Sequence, residues 1–116
     1  MTCVWDAIRK KLNIKKQPDG LLALVKTNNR LTPNIEWNGA KLDENTQLEN
    51  YARIQSIANT TDGYDCSTCD PLLFLISELY SVHIIHHYQG VRVLYTNPKS
   101  KKKKPVHVYS NDSHFW

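Results

Sequence analysis

The chain has 116 residues, 41% apolar and 22% charged, which suits one globular domain with a single modest core and excludes a disordered chain. No apolar run approaches the roughly 18–20 residues that cross a bilayer, and Arg9, Lys10 and Lys11 interrupt the first helix-like stretch where a secretory signal would be apolar. The net charge of +4 sits largely in Lys99 and Lys101–Lys104, one local feature rather than a basic face.

In chain order, residues 3–12 read as a helix with Val4, Ile8 and Leu12 on one stripe and Trp5 beside it. Pro18-Asp19-Gly20 is expected to break the chain before a second short helix at residues 21–26. Residues 27–42 are polar and turn-rich, punctuated by Pro33 and Gly39. A third helix is expected from Asp43 or Glu44 to Ala58, with Leu48, Tyr51, Ile54 and Ile57 about a turn apart. Residues 59–67 read as loop. Asp70-Pro71 is a helix start, because Asp accepts from freed amides and Pro suits the first turn. The segment Leu72 to Leu79 is apolar nearly all round, so this helix should be buried on most sides.

After Ser81 the pattern turns to strands. Val82–Tyr88 is rich in β-branched and aromatic residues, Gln89-Gly90 is a tight turn, and Val91–Tyr95 is the returning strand. The lysine run follows as a loop, Val106–Tyr109 alternates as a strand, and His114-Phe115-Trp116 belongs to a last strand after a turn at 110–113. Helices first and an antiparallel sheet afterwards make an α+β domain. Its core is expected to hold Val4, Ile8, Leu73, Ile76, Leu79, Ile84, Val93 and Val108.

Three cysteines at irregular spacing make no disulfide framework and point to reduced thiols in the cytoplasm. A nucleophilic cysteine works as its thiolate, and Cys3 stands at a predicted helix N-terminus, where free backbone N–H groups and the helix dipole favour negative charge. Its partner must be a histidine near in space. His114 closes the last strand, a rigid place from which an imidazole can be aimed.

The surroundings of both residues resemble the ovarian-tumour (OTU) family of papain-like cysteine proteases. Thr2-Cys3-Val4-Trp5-Asp6-Ala7-Ile8 follows that family's catalytic-helix block from the cysteine onward. Near the end, Leu72 to Tyr80, Val82-His83-Ile84-Ile85, Val91 to Tyr95, Val106 to Tyr109 and Asn111-Asp112-Ser113-His114-Phe115 follow its helix, strand and His-aromatic order. The resemblance covers both ends, whereas residues 13–60 match only as unspecified helices. It implies a papain-like fold with helices on a small antiparallel sheet, Cys3 as nucleophile and His114 as general base. It also implies a deubiquitinase or polyprotein-processing protease acting on a Gly-Gly-like tail, with ubiquitin, a ubiquitin-like modifier or a polyprotein junction as partner. No cofactor is implied, a monomer is expected, and the compact size resembles viral members, hence a host cytoplasm.

The chain departs from the family in two places. The Asp-Gly-Asn before the cysteine is absent, and Trp116 stands where an Asp or Asn usually follows the His by two residues. Asn111 and Asp112 are the remaining candidates to orient the imidazole, and Trp5, Phe115 and Trp116 are candidates to line a substrate channel or to anchor the core.

Three other readings stay open. Cys66-x2-Cys69 followed by His83-x3-His87 falls in the spacing window of a zinc site, although histidines on a strand lie far apart along it. Lys99 and Lys101–Lys104 with Tyr95 or Tyr109 can be read as a nucleic-acid contact, but without a second basic stretch or an aromatic ladder a solvated loop is the preferred account. A non-catalytic binding domain that keeps the fold is the third.

Overall fold

Each helix follows from its apolar spacing, and two of the four depart from expectation at one end for a local reason. The computed structural model describes residues 3–60, 70–102, 104–111 and 114–116. Helix α1 spans Cys3–Leu12 and sinks Val4, Trp5, Ala7 and Ile8 into the core. Helix α2 spans Pro18–Thr27, so the Pro18-Asp19-Gly20 stretch opens the helix instead of breaking the chain. Pro at the first helical position gives up an N–H that has no intrahelical partner in any case. Leu21, Leu22 and Val25 are its buried face.

Helix α3 spans Glu44–Gln55. Asp43 caps it by accepting from the Thr46 N–H at 2.7 Å, and hydrogen bonds from the Thr46 side chain and then its backbone hold the carboxyl below the ordinary 3.8. The helix stops short of the expected Ala58 because the Ser56 hydroxyl donates to the Arg53 carbonyl at 2.7 Å, closing the last turn on itself. Helix α4 spans Asp70–Tyr80, and residues 71–77 are buried without a break, as an all-round apolar helix requires. Among the described residues no helix is long and apolar enough to cross a membrane.

Five strands form one sheet in the order β2-β1-β4-β3-β5. Strands β1 (Glu36–Trp37) and β2 (Ala40–Lys41) are a hairpin inside the stretch expected to be turns alone. Asn38 and Gly39 both have positive φ, 51° and 87°, as a two-residue hairpin turn demands. Asn38 also stitches this hairpin to its neighbour, donating its N–H to the Leu94 carbonyl and accepting from the Leu94 N–H. Strands β3 (Ile84–Tyr88) and β4 (Val91–Thr96) pair antiparallel about the expected Gln89-Gly90 turn.

Strand β5 (Val106–Ser110) lies parallel to β3, so the sheet is mixed and not purely antiparallel as expected. The reason is the length of the lysine loop. Thr96 and Val106 end up on opposite sides of the start of β3, and residues 97–105 carry the chain across it. Asn97, buried at that crossing, is the peg. Its side chain donates to the Ser77 carbonyl at 3.0 Å and accepts from the Lys99 N–H, while its own N–H reaches His83 Nδ1. The Val106 N–H then bonds the His83 carbonyl at 2.7 Å and opens β5.

Alternation along the strands gives the sheet two faces. Ile84, His86, Tyr95, Val108 and Ser110 point into the core, and Phe74 of α4 sets its ring edge-on to Tyr95 at 5.0 Å. Of the eight expected core residues, six are buried, while Leu79 and Val93 are only partly so and pack at the core margin. The structure is an α+β protein with helices packed on a five-stranded mixed sheet.

Candidate active site

Helix α1 packs against β5 and α2. That places the element that begins at Cys3 beside the strand that leads to His114. The Cys3 backbone opens α1, while its thiol lies outside the described part of the structure. Beyond β5 the chain turns back. Asn111 donates its N–H to the His114 carbonyl at 2.9 Å, and its side-chain oxygen accepts the His114 N–H at 2.8 Å. Asn111 therefore fixes the backbone from which the imidazole projects, instead of contacting the ring as an orienter through this oxygen. Asp112, the other candidate orienter, lies outside the described residues.

The returning segment locks onto the free edge of β5. Phe115 bridges Ser110, and Tyr109 and Trp116 exchange both backbone hydrogen bonds at 2.8 and 2.7 Å. Phe115 is buried, with its ring 5.4 Å from that of His86. His86 in turn is hydrogen-bonded through Nε2 to the Ser110 hydroxyl at 2.6 Å. Trp5 is likewise buried, at 1% exposure. Of the three candidate channel residues, Trp5 and Phe115 are buried and anchor the core. Trp116 alone, at 46% exposure, stands on the surface.

On the outer face of the sheet a run of near-parallel rings crosses the strands. The His87 and Tyr109 centroids are 4.5 Å apart with planes 15° from parallel, Tyr109 and Trp116 are 6.0 Å apart at 14°, and Trp116 and His114 are 5.4 Å apart at 18°. The Lys11 ammonium, from the last turn of α1, lies 5.3 Å from the Tyr109 ring centroid. This stack links the Cys3 helix, β5 and the His114 turn by side-chain contacts. Tyr109 is its centre, and the alternation of Val106–Tyr109 marks it as outward-facing, but only the fold brings Trp116 and His87 to its two sides.

At the other end of the stack His87 Nε2 and His107 Nδ1 are 2.9 Å apart. One of these nitrogens donates and the other accepts, so at least one ring is neutral. Burial first, and then the positive charge of His107 and Arg92, hold His87 below the ordinary histidine value of 6.5. A histidine whose folded pKa is depressed takes its proton more readily when unfolded, so its contribution to stability is complete above about pH 6.5 and is lost as pH falls below it. The thermal midpoint is expected to drop between pH 7.5 and 5. In His87→Phe, which keeps a ring against Tyr109, the drop should be shallower. Equal slopes in the two proteins would show that His87 is not responsible.

The zinc alternative receives no geometric support from its described members. His83 and His87 stand four residues apart on extended chain, about 13 Å along a strand. His83 Nδ1 accepts the Asn97 N–H, and His87 is engaged with His107. Cys66 and Cys69 lie outside the described residues. Among the described residues no three His, Cys, Asp or Glu side chains converge as a metal site would need. Lys99, Lys101, Lys102 and Lys104 are exposed on the loop that crosses β3. No protein-family description, curated protein or solved structure matches this chain.

Proposed function

We propose that the chain is a papain-like cysteine protease of the OTU type, with Cys3 as nucleophile and His114 as general base. Its substrates are the Gly-Gly-like tail of ubiquitin or a ubiquitin-like modifier, or a polyprotein junction of the same kind. The observation that supports this most is the packing of α1, which opens at Cys3, against β5, which leads within four residues to His114. The two residues come from opposite ends of the sequence, and a thiol-imidazole pair requires elements from those two ends to pack together.

In this reading the imidazole takes the thiol proton, and the α1 N-terminus stabilises the thiolate. The sulfur attacks the carbonyl carbon after the tail, and backbone N–H groups near the nucleophile, that of Cys3 among them, hold the oxyanion. The imidazolium returns its proton to the leaving amine, which departs and leaves a thioester. His114 then takes a proton from water, the hydroxide attacks the thioester, and the thiolate is released. The protein works as a monomer in a reducing compartment, the cytoplasm, where the thiol stays free.

A fluorogenic ubiquitin-tail substrate tests the proposal. Turnover is expected from the wild-type chain in the presence of a chelator, with none from Cys3→Ala. Equal rates from the two proteins would refute the assignment.

A further inference from the structure

His114 is exposed, and its imidazole projects from a two-hydrogen-bond turn at the margin of the sheet. An exposed histidine side chain samples several rotamers, and its terminal torsion is soft. A general base cannot work from such an ensemble, because only the fraction aimed at the nucleophile reacts. Something must hold the ring.

We propose that Trp116 is the positioning residue for the His114 imidazole, holding it by ring stacking in the orientation the proposed Cys3 chemistry needs. The inference rests on the protease reading and adds to it a residue that touches neither substrate nor the reacting atoms. The indole lies 5.4 Å from the imidazole centroid with planes 18° from parallel. At that separation the near-parallel rings are offset, and the indole limits how far the imidazole swings toward it.

The indole can act as a fixed wall because it is itself held on several sides. Its backbone exchanges two hydrogen bonds with Tyr109, and the preceding residue, Phe115, is buried. The Tyr109 ring lies near-parallel behind it, and behind Tyr109 stand His87 from β3 and Lys11 from α1. Lys11 matters for the geometry. It belongs to the last turn of the helix that begins at Cys3, so the stack is tied to that helix at the end away from the nucleophile.

A plain structural role for Trp116, covering the edge of β5, would change stability and leave the chemistry alone. Three readouts separate the two. The first is spectroscopic: the His114 ring protons of the wild type should be shifted upfield by the indole ring current, and that shift should vanish in Trp116→Ala. The second is kinetic. With a fluorogenic ubiquitin-tail substrate, Trp116→Ala should lower kcat on the order of tenfold with KM little changed, less than the hundredfold that a full 1 Å displacement can cost. The third is rescue: Trp116→Phe, which keeps a face for the imidazole, should recover most of kcat.

Trp116→Ala that is folded and turns over as fast as the wild type overturns the positioning role and leaves the protease reading standing. A wild-type chain that turns over no substrate overturns the protease reading and the positioning role together. In that case the ring-current shift still reports whether the stack forms.

Discussion

Trp5→Ala is expected to cost about 3–5 kcal/mol, the range for emptying a fully buried aromatic site. Small domains hold only about 5–15 kcal/mol in total, so the variant should be marginal at 25 °C. Trp5 sits in the first turn of α1 at 1% exposure, in the same buried cluster as Val4, Ile8 and Phe115. Neighbouring side chains cannot collapse into the space of an indole without dragging α1 off β5. With urea slopes of about 1–3 kcal/mol per molar, the midpoint should fall by at least about 1 M. Trp116→Ala is the control: its indole is 46% exposed, and the midpoint should move much less. A Trp5→Ala midpoint within a few tenths of a molar of wild type would mean that α1 is not seated in the core. The basis for placing Cys3 beside the sheet would go with it.

His114→Ala should leave the fold intact and slow turnover of a ubiquitin-tail substrate by about 10²–10⁴, the usual contribution of a positioned general base. The side chain is exposed, and the Asn111 bonds run to its backbone, which alanine keeps. Thermal midpoints of the two proteins are therefore expected to agree closely, and the loss should appear in kcat. His107→Ala serves as a comparison, since it removes an exposed imidazole on the same face of the sheet but at the far end of the stack. A loss of similar size in both variants would argue that the face as a whole, and not His114, carries the effect.

Much of this fold can be read from residue spacing. Val4, Ile8 and Leu12 announce α1, and the continuous apolar run after Pro71 announces a buried helix. Gln89-Gly90 between two β-branched runs announces the β3–β4 hairpin. The errors have specific causes. Pro18 was expected to break the chain and instead starts α2, because at a first helical position its missing N–H costs nothing. The β1–β2 hairpin is two residues a side, too short for alternation to show, and its one signal is the Asn38-Gly39 pair. The parallel β3–β5 pairing is set by a crossing that depends on Asn97 bonding Ser77 and Lys99 across the fold. No local pattern contains that information.

The candidate site divides in the same way. The motifs around Cys3 and His114 suggest a thiol and an imidazole, and the strand pattern puts His114 near the end of a sheet. What the linear pattern cannot show is which aromatic faces which. Trp5, Phe115 and Trp116 look alike as candidates to line a channel, yet the first two point inward and only Trp116 reaches the surface. Tyr109 becomes central only when the turn at 111–114 folds Trp116 back onto it. Asn111, three positions before the histidine, takes its backbone N–H through the side-chain oxygen, a bond that spacing alone does not announce.

The central claim is that Cys3 is a nucleophile for ubiquitin-like tails. The most direct test incubates the purified chain with ubiquitin carrying a cysteine-trapping warhead at its C-terminus, followed by intact mass and peptide mapping. A single adduct one ubiquitin heavier is expected, mapped to Cys3, formed with or without a zinc chelator and absent from Cys3→Ala. A well-folded chain that forms no adduct, or one whose adduct maps to Cys66 or Cys69, would contradict it.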